Sequence, residues 1–207
     1  MIGLDQLKAY VIANANRLVT FFLVAYLATT LRALYDREAH TARIDDLTGA
    51  KNRKGFREVF EAEIVRHRRN GKPLCALYID CDDFKVINDR YGHDIGDRVL
   101  AEIAEVLQQF AQRHDALVAR YGGEEFAVVL AGIGHEQAAA RAEDLRRACA
   151  ARTIIDGATP LPVTISIGVA VAQGAFDLAE LMRAADQALY VAKSRGRDCV
   201  VETRLAA

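Results

Sequence analysis

No pair of the four cysteines, Cys75, Cys81, Cys149 and Cys199, has the C-x-x-C spacing of a structural zinc or redox site. Cys75 lies in an apolar run that reads as a strand, so these thiols are expected to be buried or half-buried, in a reducing compartment. Neither sign of charge is in excess: 27 Lys and Arg stand against 28 Asp and Glu, a formal charge of −1. That excludes a global electrostatic pull toward a nucleic-acid polymer. No proline and a single glycine, Gly3, interrupt the opening segment to about His40, which therefore reads as one long helix. A long uncharged run is missing as well. Leu18 to Leu31 carries no charge, and a snorkelling Arg32 extends the apolar span to Leu34, about the shortest length that crosses a bilayer. The segment is thus either a membrane anchor or a soluble dimerising helix with a short seam at Leu27, Leu31 and Leu34 that fades at Glu38. No small-residue cleavage site follows it, which argues against a signal peptide.

What is present suffices for a core. The 207 residues are 52% hydrophobic, enough for one domain of ordinary size plus an extension. Asp45 and Asp46 precede a turn at Thr48-Gly49. Phe56, Val59, Phe60 and Ile64 then recur at helical spacing up to Asn70-Gly71, which ends that helix. Leu74 to Ile79 is nearly continuous apolar sequence, the mark of a central strand covered on both faces, and Asp80 stands at its carboxyl end. Ile95, Val99, Ile103, Val106, Leu107 and Phe110 trace a second amphipathic helix. Leu117–Tyr121 and Phe126–Leu130 read as a hairpin whose turn glycines, Gly122 and Gly123, are expected to supply positive φ and to let a ligand approach the backbone. An alanine-rich helix over His135–Ala151, a strand over Val163–Ala172, a helix over Leu178–Ala192 and a short edge strand at Val200-Val201 complete the chain. Strands and helices alternate without an internal repeat, so the expected fold is an α/β sandwich with helices packed on a mixed sheet.

The residues that carry chemistry fall at the ends of these elements. Asp80-Cys81-Asp82-Asp83-Phe84-Lys85, Asn88-Asp89, Gly92-His93-Asp94-Ile95-Gly96-Asp97 and Arg120-Tyr121-Gly122-Gly123-Glu124-Glu125-Phe126 stand in this order, followed by Ala185-Asp186 through Tyr190, Lys193, Gly196 and Arg197. Asp46-Leu47-Thr48-Gly49 and Asn52-Arg53 precede them. Alone, an Asp-x-Asp-Asp cluster is more often a solvated turn than a metal site. Together with the hairpin, these motifs resemble the GGDEF family of diguanylate cyclases, over about Ile44 to Glu202. Residues 1–43 fall outside as an N-terminal helix, and 44–207 would be the catalytic domain.

The resemblance implies a largely antiparallel central sheet like the palm of nucleotide cyclases. It also implies condensation of two GTP into cyclic di-GMP by two protomers that each hold one GTP, with Mg²⁺ or Mn²⁺ as cofactor. Hard cations take oxygen ligands, and by resemblance Asp80, Glu124 and the carbonyl of Cys81 hold the metal, with Glu125 as a further catalytic residue. The main chain at Asp83 and Phe84, with Lys85, Lys193 and Arg197, would hold the phosphates. Without the resemblance, Lys193 and Arg197 merely complement a helix dipole. Asn88 and Asp97 would read guanine, although Asp97 has the rival reading of a helix cap. Gly122 and Gly123 would leave room for ribose and base, and Gly92 and Gly96 would shape the guanine loop. His93 has two readings, a backbone hydrogen-bonding side chain or a general base.

One family feature is damaged. The product-binding Arg-x-x-Asp is represented by Arg113-His114-Asp115, with the aspartate one position early, so tight product inhibition is not expected. The catalytic domain would lie in the cytoplasm, either free or tethered to the bacterial inner membrane. The rival functions are a catalytically silent domain that binds GTP or cyclic di-GMP as a signalling module, and a scaffold driven by the N-terminal helix.

Overall fold

The computed structural model describes Asn14 and residues 16–32, 43–156 and 159–205. The chain divides into two units, Met1–Ala42 and Arg43–Ala207. In the first, residues 16–32 form a helix, α1, and the expected continuation to His40, with Leu34 and Glu38, lies outside the described residues. Among the described residues no helix is long and apolar enough to cross a membrane.

The second unit is built around β2 (Leu74–Cys81), all eight residues of which are buried. It pairs antiparallel with β4 (Glu125–Ala131) on one side and β7 (Ile165–Ala172) on the other. β3 (Leu117–Arg120) continues the sheet antiparallel to β4. The two edges are parallel additions, β1 (Lys51–Asn52) on β3 and β8 (Val200–Arg204) on β7, giving the order β1-β3-β4-β2-β7-β8. The sheet is therefore mixed and largely antiparallel, as expected.

Because strand side chains alternate, each strand feeds two cores. Cys75, Leu77 and Ile79 of β2, with Phe126, Val128 and Leu130 of β4, face α4 (His93–His114) and α5 (His135–Ala150). Leu74, Ala76 and Tyr78 face α2 (Arg53–Asn70) and α6 (Leu178–Ser194), where Phe56, Phe60, Leu181 and Leu189 cover them. α3 (Phe84–Tyr91) joins β2 to α4. The ends of α2 are set by Asn52, whose side chain accepts from the Gly55 amide, and by Gly71, in the left-handed conformation at φ 62°. All four cysteines are free, three buried and Cys199 half-buried.

A strand start and an additional sheet depart from expectation. β7 begins at Ile165, not Val163, because Thr164 is diverted into hydrogen bonds with Asp82. A second, two-stranded sheet of β5 (Thr153–Asp156) and β6 (Thr159–Pro162) stands where no strand was expected.

α6 lies directly on the backbone of β7. A Cβ placed on Gly168 would stand 2.0 Å from the Ala185 carbonyl oxygen and 2.2 Å from the Leu189 amide. Ala184, Ala185, Ala188 and Ala192 of α6 are small and buried, which lets the helix sit this close at Gly168. Gly168→Ala must push α6 outward, and we expect it to destabilise the protein by roughly 2–4 kcal/mol, since overpacking against backbone has no flexible neighbour to yield. Urea unfolding measures this, and an unchanged midpoint would show that α6 is not held by this contact.

Candidate functional site

Asp80 lies one residue before the end of β2, on the α6 face of the sheet, 4% exposed. Its register partners are Glu125 on β4 and Ser166 on β7. The close seat of α6 brings the Lys193 ammonium to 2.7 Å from Asp80 Oδ2. Burial pushes the Asp80 carboxyl up to about 6. Lys193 pulls it down, and Glu124 and Glu125 push it up again. Three carboxylates thus share the end of β2, and one ammonium does not offset them.

The hairpin that carries Glu124 is not the two-residue turn expected. Gly122 and Gly123 do not have positive φ. Four residues, 121–124, separate β3 from β4, and the amides of Tyr121 and Gly122 both donate to the Glu125 carbonyl, at 2.8 and 3.2 Å. The longer reversal spreads the bend, so no left-handed residue is needed. Gly122 serves closeness instead: a Cβ there would stand 2.3 Å from Glu125 Oε2. A Cβ on Gly123 would meet nothing within 4 Å, leaving that side open.

Arg120 fixes the loop from behind. Its Nε and Nη2 donate to the Gly123 carbonyl at 3.0 and 2.7 Å, and its Nη1 donates to Asp45 at 3.1 Å. Burial pushes the Asp45 carboxyl up, but hydrogen bonds from Thr48 and Arg120 outweigh this and hold it below its usual range. Tyr78 supports Glu125 from below, its hydroxyl donating to Oε2 at 3.3 Å. Burial, and next the Glu125 charge, raise the Tyr78 phenol, keeping it a donor.

On the other side of Asp80 the chain turns through Asp83, at φ 52°, into α3. Asp83 puts no side-chain cap on the first turn of α3, and its carboxylate pairs with Arg197 at 3.3 Å. Phe84 is half-buried and Lys85 exposed. Asn88 lies against Gly96, where a Cβ would stand 1.9 Å from Asn88 Oδ1. That oxygen is buried and has no hydrogen-bond partner among the described residues. Asp97 follows Gly96 as an exposed residue inside α4, which starts at His93 behind Gly92. The capping reading of Asp97 is therefore wrong, because α4 begins a full turn earlier than Val99 suggests. His93 is exposed at the first position of α4.

Arg113 and Asp115 are both exposed at the end of α4, and they line different cavities. Arg113 faces one with Asp144 and Arg152, Asp115 one with Glu63, Arg66 and Lys72. The largest of the cavities described lies elsewhere, about 580 Å³ between Arg53, Arg57, Tyr121 and Asp177.

Among the described residues no group of three or more His, Cys, Asp or Glu side chains is arranged to hold a metal by itself. The donors suit a hard cation all the same. Mg²⁺ is commonly bound by one or two carboxylates completed by substrate phosphates, and the under-compensated charge at Asp80, Glu124 and Glu125 is of that kind. The Cys81 thiol, a soft donor that burial and the neighbouring Asp80 push up, does not match the oxygen preference of a hard cation.

The family model for the diguanylate cyclase GGDEF domain matches residues 42–199. The chain belongs to the GGDEF-domain family of diguanylate cyclases. This GGDEF domain is 36% identical over 179 residues to the diguanylate cyclase DosC of Escherichia coli and 41% identical over 174 residues to the response regulator PleD of Caulobacter vibrioides. The matches cover 86% and 83% of this chain but only 39% and 38% of those proteins. The chain thus spans about two fifths of the length of these curated relatives. A solved structure, the active GGEEF domain of a diguanylate cyclase from Vibrio cholerae, is 35% identical with a TM-score of 0.69, over 75% of this chain and 98% of that one.

Sequence reasoning passed over Tyr78, Thr164 and Ser166 and left Asp45 and Arg120 without a role in the site. Asp45 and Arg120 are 75 positions apart, and no local pattern joins them.

The raised Asp80 carboxyl makes a prediction about stability. The folded protein holds this proton more tightly than the unfolded chain, so wild type loses stability as pH rises from 3.8 through about 6. Asp80→Asn escapes that loss. In metal-free buffer the mutant's advantage should open across this window and reach about 1–3 kcal/mol at pH 8. Urea unfolding of both proteins from pH 4 to 8 checks it, and a mutant no more stable than wild type at pH 8 contradicts it.

Proposed function

We propose that this GGDEF domain condenses two GTP into cyclic di-GMP with release of two pyrophosphates. The 3′-hydroxyl of each GTP displaces pyrophosphate from the α-phosphate of the other. The observation that supports this best is the carboxylate cluster at the end of β2, buried enough to raise Asp80 and served from one side by Lys193 and Arg197. Mg²⁺ or Mn²⁺, held by Asp80, Glu124 and the Cys81 carbonyl, would neutralise phosphate charge there and polarise the reacting phosphate.

The protein's own groups divide the remaining work. The uncapped amides following Asp83, beginning at Phe84, suit an anion, and Lys85, Lys193 and Arg197 add positive charge for the β- and γ-phosphates. The buried, unpartnered Asn88 oxygen and the Asp97 carboxylate are suited to the guanine edge, whose ring N–H and amine are donors. The open side of Gly123 leaves space for ribose. Glu125, braced by Tyr78, stands beside Asp80 as a second carboxylate for proton handling or a further metal.

Attack of one GTP on another requires two protomers, each holding one substrate. We assign residues 44–207 to catalysis and residues 1–43 to bringing protomers together. Phe21, Phe22, Tyr26, Leu27 and Leu31 are exposed along the N-terminal helix, as pairing with a second copy or tethering to the bacterial inner membrane would use. Either device raises the effective concentration of catalytic domains. The catalytic domain would work in the cytoplasm, where GTP is found and its four free thiols stay reduced. Arg113 and Asp115 line separate cavities, so inhibition by product is expected to be weak.

Incubation with GTP and Mg²⁺, with products separated by chromatography, tests the reading. Wild type should yield cyclic di-GMP and pyrophosphate in a ratio of one to two. Glu124→Gln, at a half-buried loop position, should fold normally and lose at least about a hundredfold in turnover, as expected when transition-state charge stabilisation is removed. A folded wild type that binds GTP without turnover would favour the silent signalling module.

A further inference from the structure

The β2–α3 turn carries three aspartates in four positions, and the structure gives them different partners. Asp80 takes Lys193 and Asp83 takes Arg197. Asp82 forms no ion pair among the described residues. It is buried, 6% exposed, and accepts three hydrogen bonds: from the Ser166 hydroxyl at 2.6 Å on Oδ1, and from the Thr164 hydroxyl at 2.8 Å and the Asp198 amide at 3.0 Å on Oδ2. Its own amide donates to the Thr164 carbonyl at 3.0 Å. A carboxylate has about four acceptor sites, so Asp82 is nearly saturated and has little left for a cation. In a sequence cluster where the aspartates look alike, this one is a strut.

What it holds is the loop between α6 and β8. There Arg197 and Asp198 have φ of 65° and 44°, a conformation that side chains other than glycine rarely adopt. Such a loop needs outside restraint to keep its shape. Asp82 holds the Asp198 amide from one side. From the other, Arg146 of α5 binds the Asp198 carboxylate and is itself held by Glu143, whose Oε1 accepts from Nη2 at 2.7 Å and Oε2 from Nε at 2.9 Å. The restrained segment carries Arg197 and directly follows the turn of helix that carries Lys193.

We propose that Asp82 is a positioning residue for triphosphate binding. With Asp198 and Arg146 it locks the α6–β8 loop to the β2–α3 turn, so that Arg197 and Lys193 face the phosphate side of the site. The inference rests on the functional reading above. It assigns these three residues no contact with guanine or ribose, so their loss should weaken the hold on phosphates alone.

Equilibrium binding of a non-hydrolysable GTP analogue and of GMP, both with Mg²⁺, separates this from general destabilisation. Asp198→Asn keeps the backbone amide but loses the charge that Arg146 clamps, and Arg146→Gln removes the clamp from the other side. Each should lose about five- to tenfold in affinity for the GTP analogue while binding GMP within about twofold of wild type, the scale of one ordinary hydrogen bond. Asp82→Asn should lose more by the same pattern. Should that buried substitution prevent folding, the Asp198 and Arg146 variants decide the matter. Equal losses for both nucleotides, or none for either, in cooperatively folded variants would overturn the proposal. A wild type that binds the GTP analogue no better than GMP would overturn the functional reading together with it. A wild type that discriminates, with variants that discriminate equally, would overturn this inference alone.

Discussion

The contact between α6 and the bare backbone of β7 at Gly168 is the constraint on which the site depends. A strand residue with any side chain would hold the helix away from the sheet, and the alanines on α6 would then pack against nothing. With the helix seated, its last turn overhangs the end of β2, and Lys193 reaches Asp80. The same descent brings the loop after α6 to the β2–α3 turn, where Arg197 meets Asp83. The cations beside the cluster are thus placed by an apolar packing contact about one to two helical turns away. A helix–sheet contact of this kind is stiff, because backbone cannot change rotamer to accommodate strain.

Stiffness matters because the site works against the stability of the domain. Asp80 is buried beside two further carboxylates, and one ammonium compensates them incompletely, which is why burial wins and the carboxyl is raised. A folded protein tolerates such a group only if the surrounding structure supplies the difference. Here two hydrophobic cores, one on each face of the sheet, do so. The braces around the cluster have the same logic. Tyr78 is held under Glu125, Arg120 grips the Gly123 carbonyl, and Asp82 ties the α6–β8 loop to the β2–α3 turn. Each keeps a charged loop from relaxing toward solvent. On the proposed function a divalent cation would relieve the repulsion within the cluster and let a polyphosphate approach it.

Where function and local pattern coincide, the sequence was readable. The unbroken apolar run before Asp80 gives β2 its central place, and the 3.6-residue spacing of Val99, Ile103 and Leu107 gives α4. The order of motifs from Asp80 to Arg197 gives the family. What was not readable depends on partners far along the chain. Asp80 and Asp82 look alike in sequence, and only Thr164, Ser166 and Asp198 make one a strut and leave the other for chemistry. β6 holds Pro160 and Pro162, which argue against a strand. They are tolerated because a two-stranded ribbon consists of edges. Asp97 suggests a cap only when set against Val99 and Leu100, whereas α4 already begins at His93, behind Gly92. Gly122-Gly123 signalled a tight turn. Its glycines serve instead the close approach of Glu125 and the open side of the loop.

The central claim is that the acidic cluster exists to take a metal-bound triphosphate. Calorimetric titration of wild type with a non-hydrolysable GTP analogue, once in excess Mg²⁺ and once in EDTA, tests it most directly. The account predicts binding at least about tenfold tighter with Mg²⁺, since phosphate and carboxylate charges repel without it. Equal affinity in EDTA would contradict it, and would mean that Asp80, Glu124 and Glu125 are held together for some purpose other than phosphate chemistry.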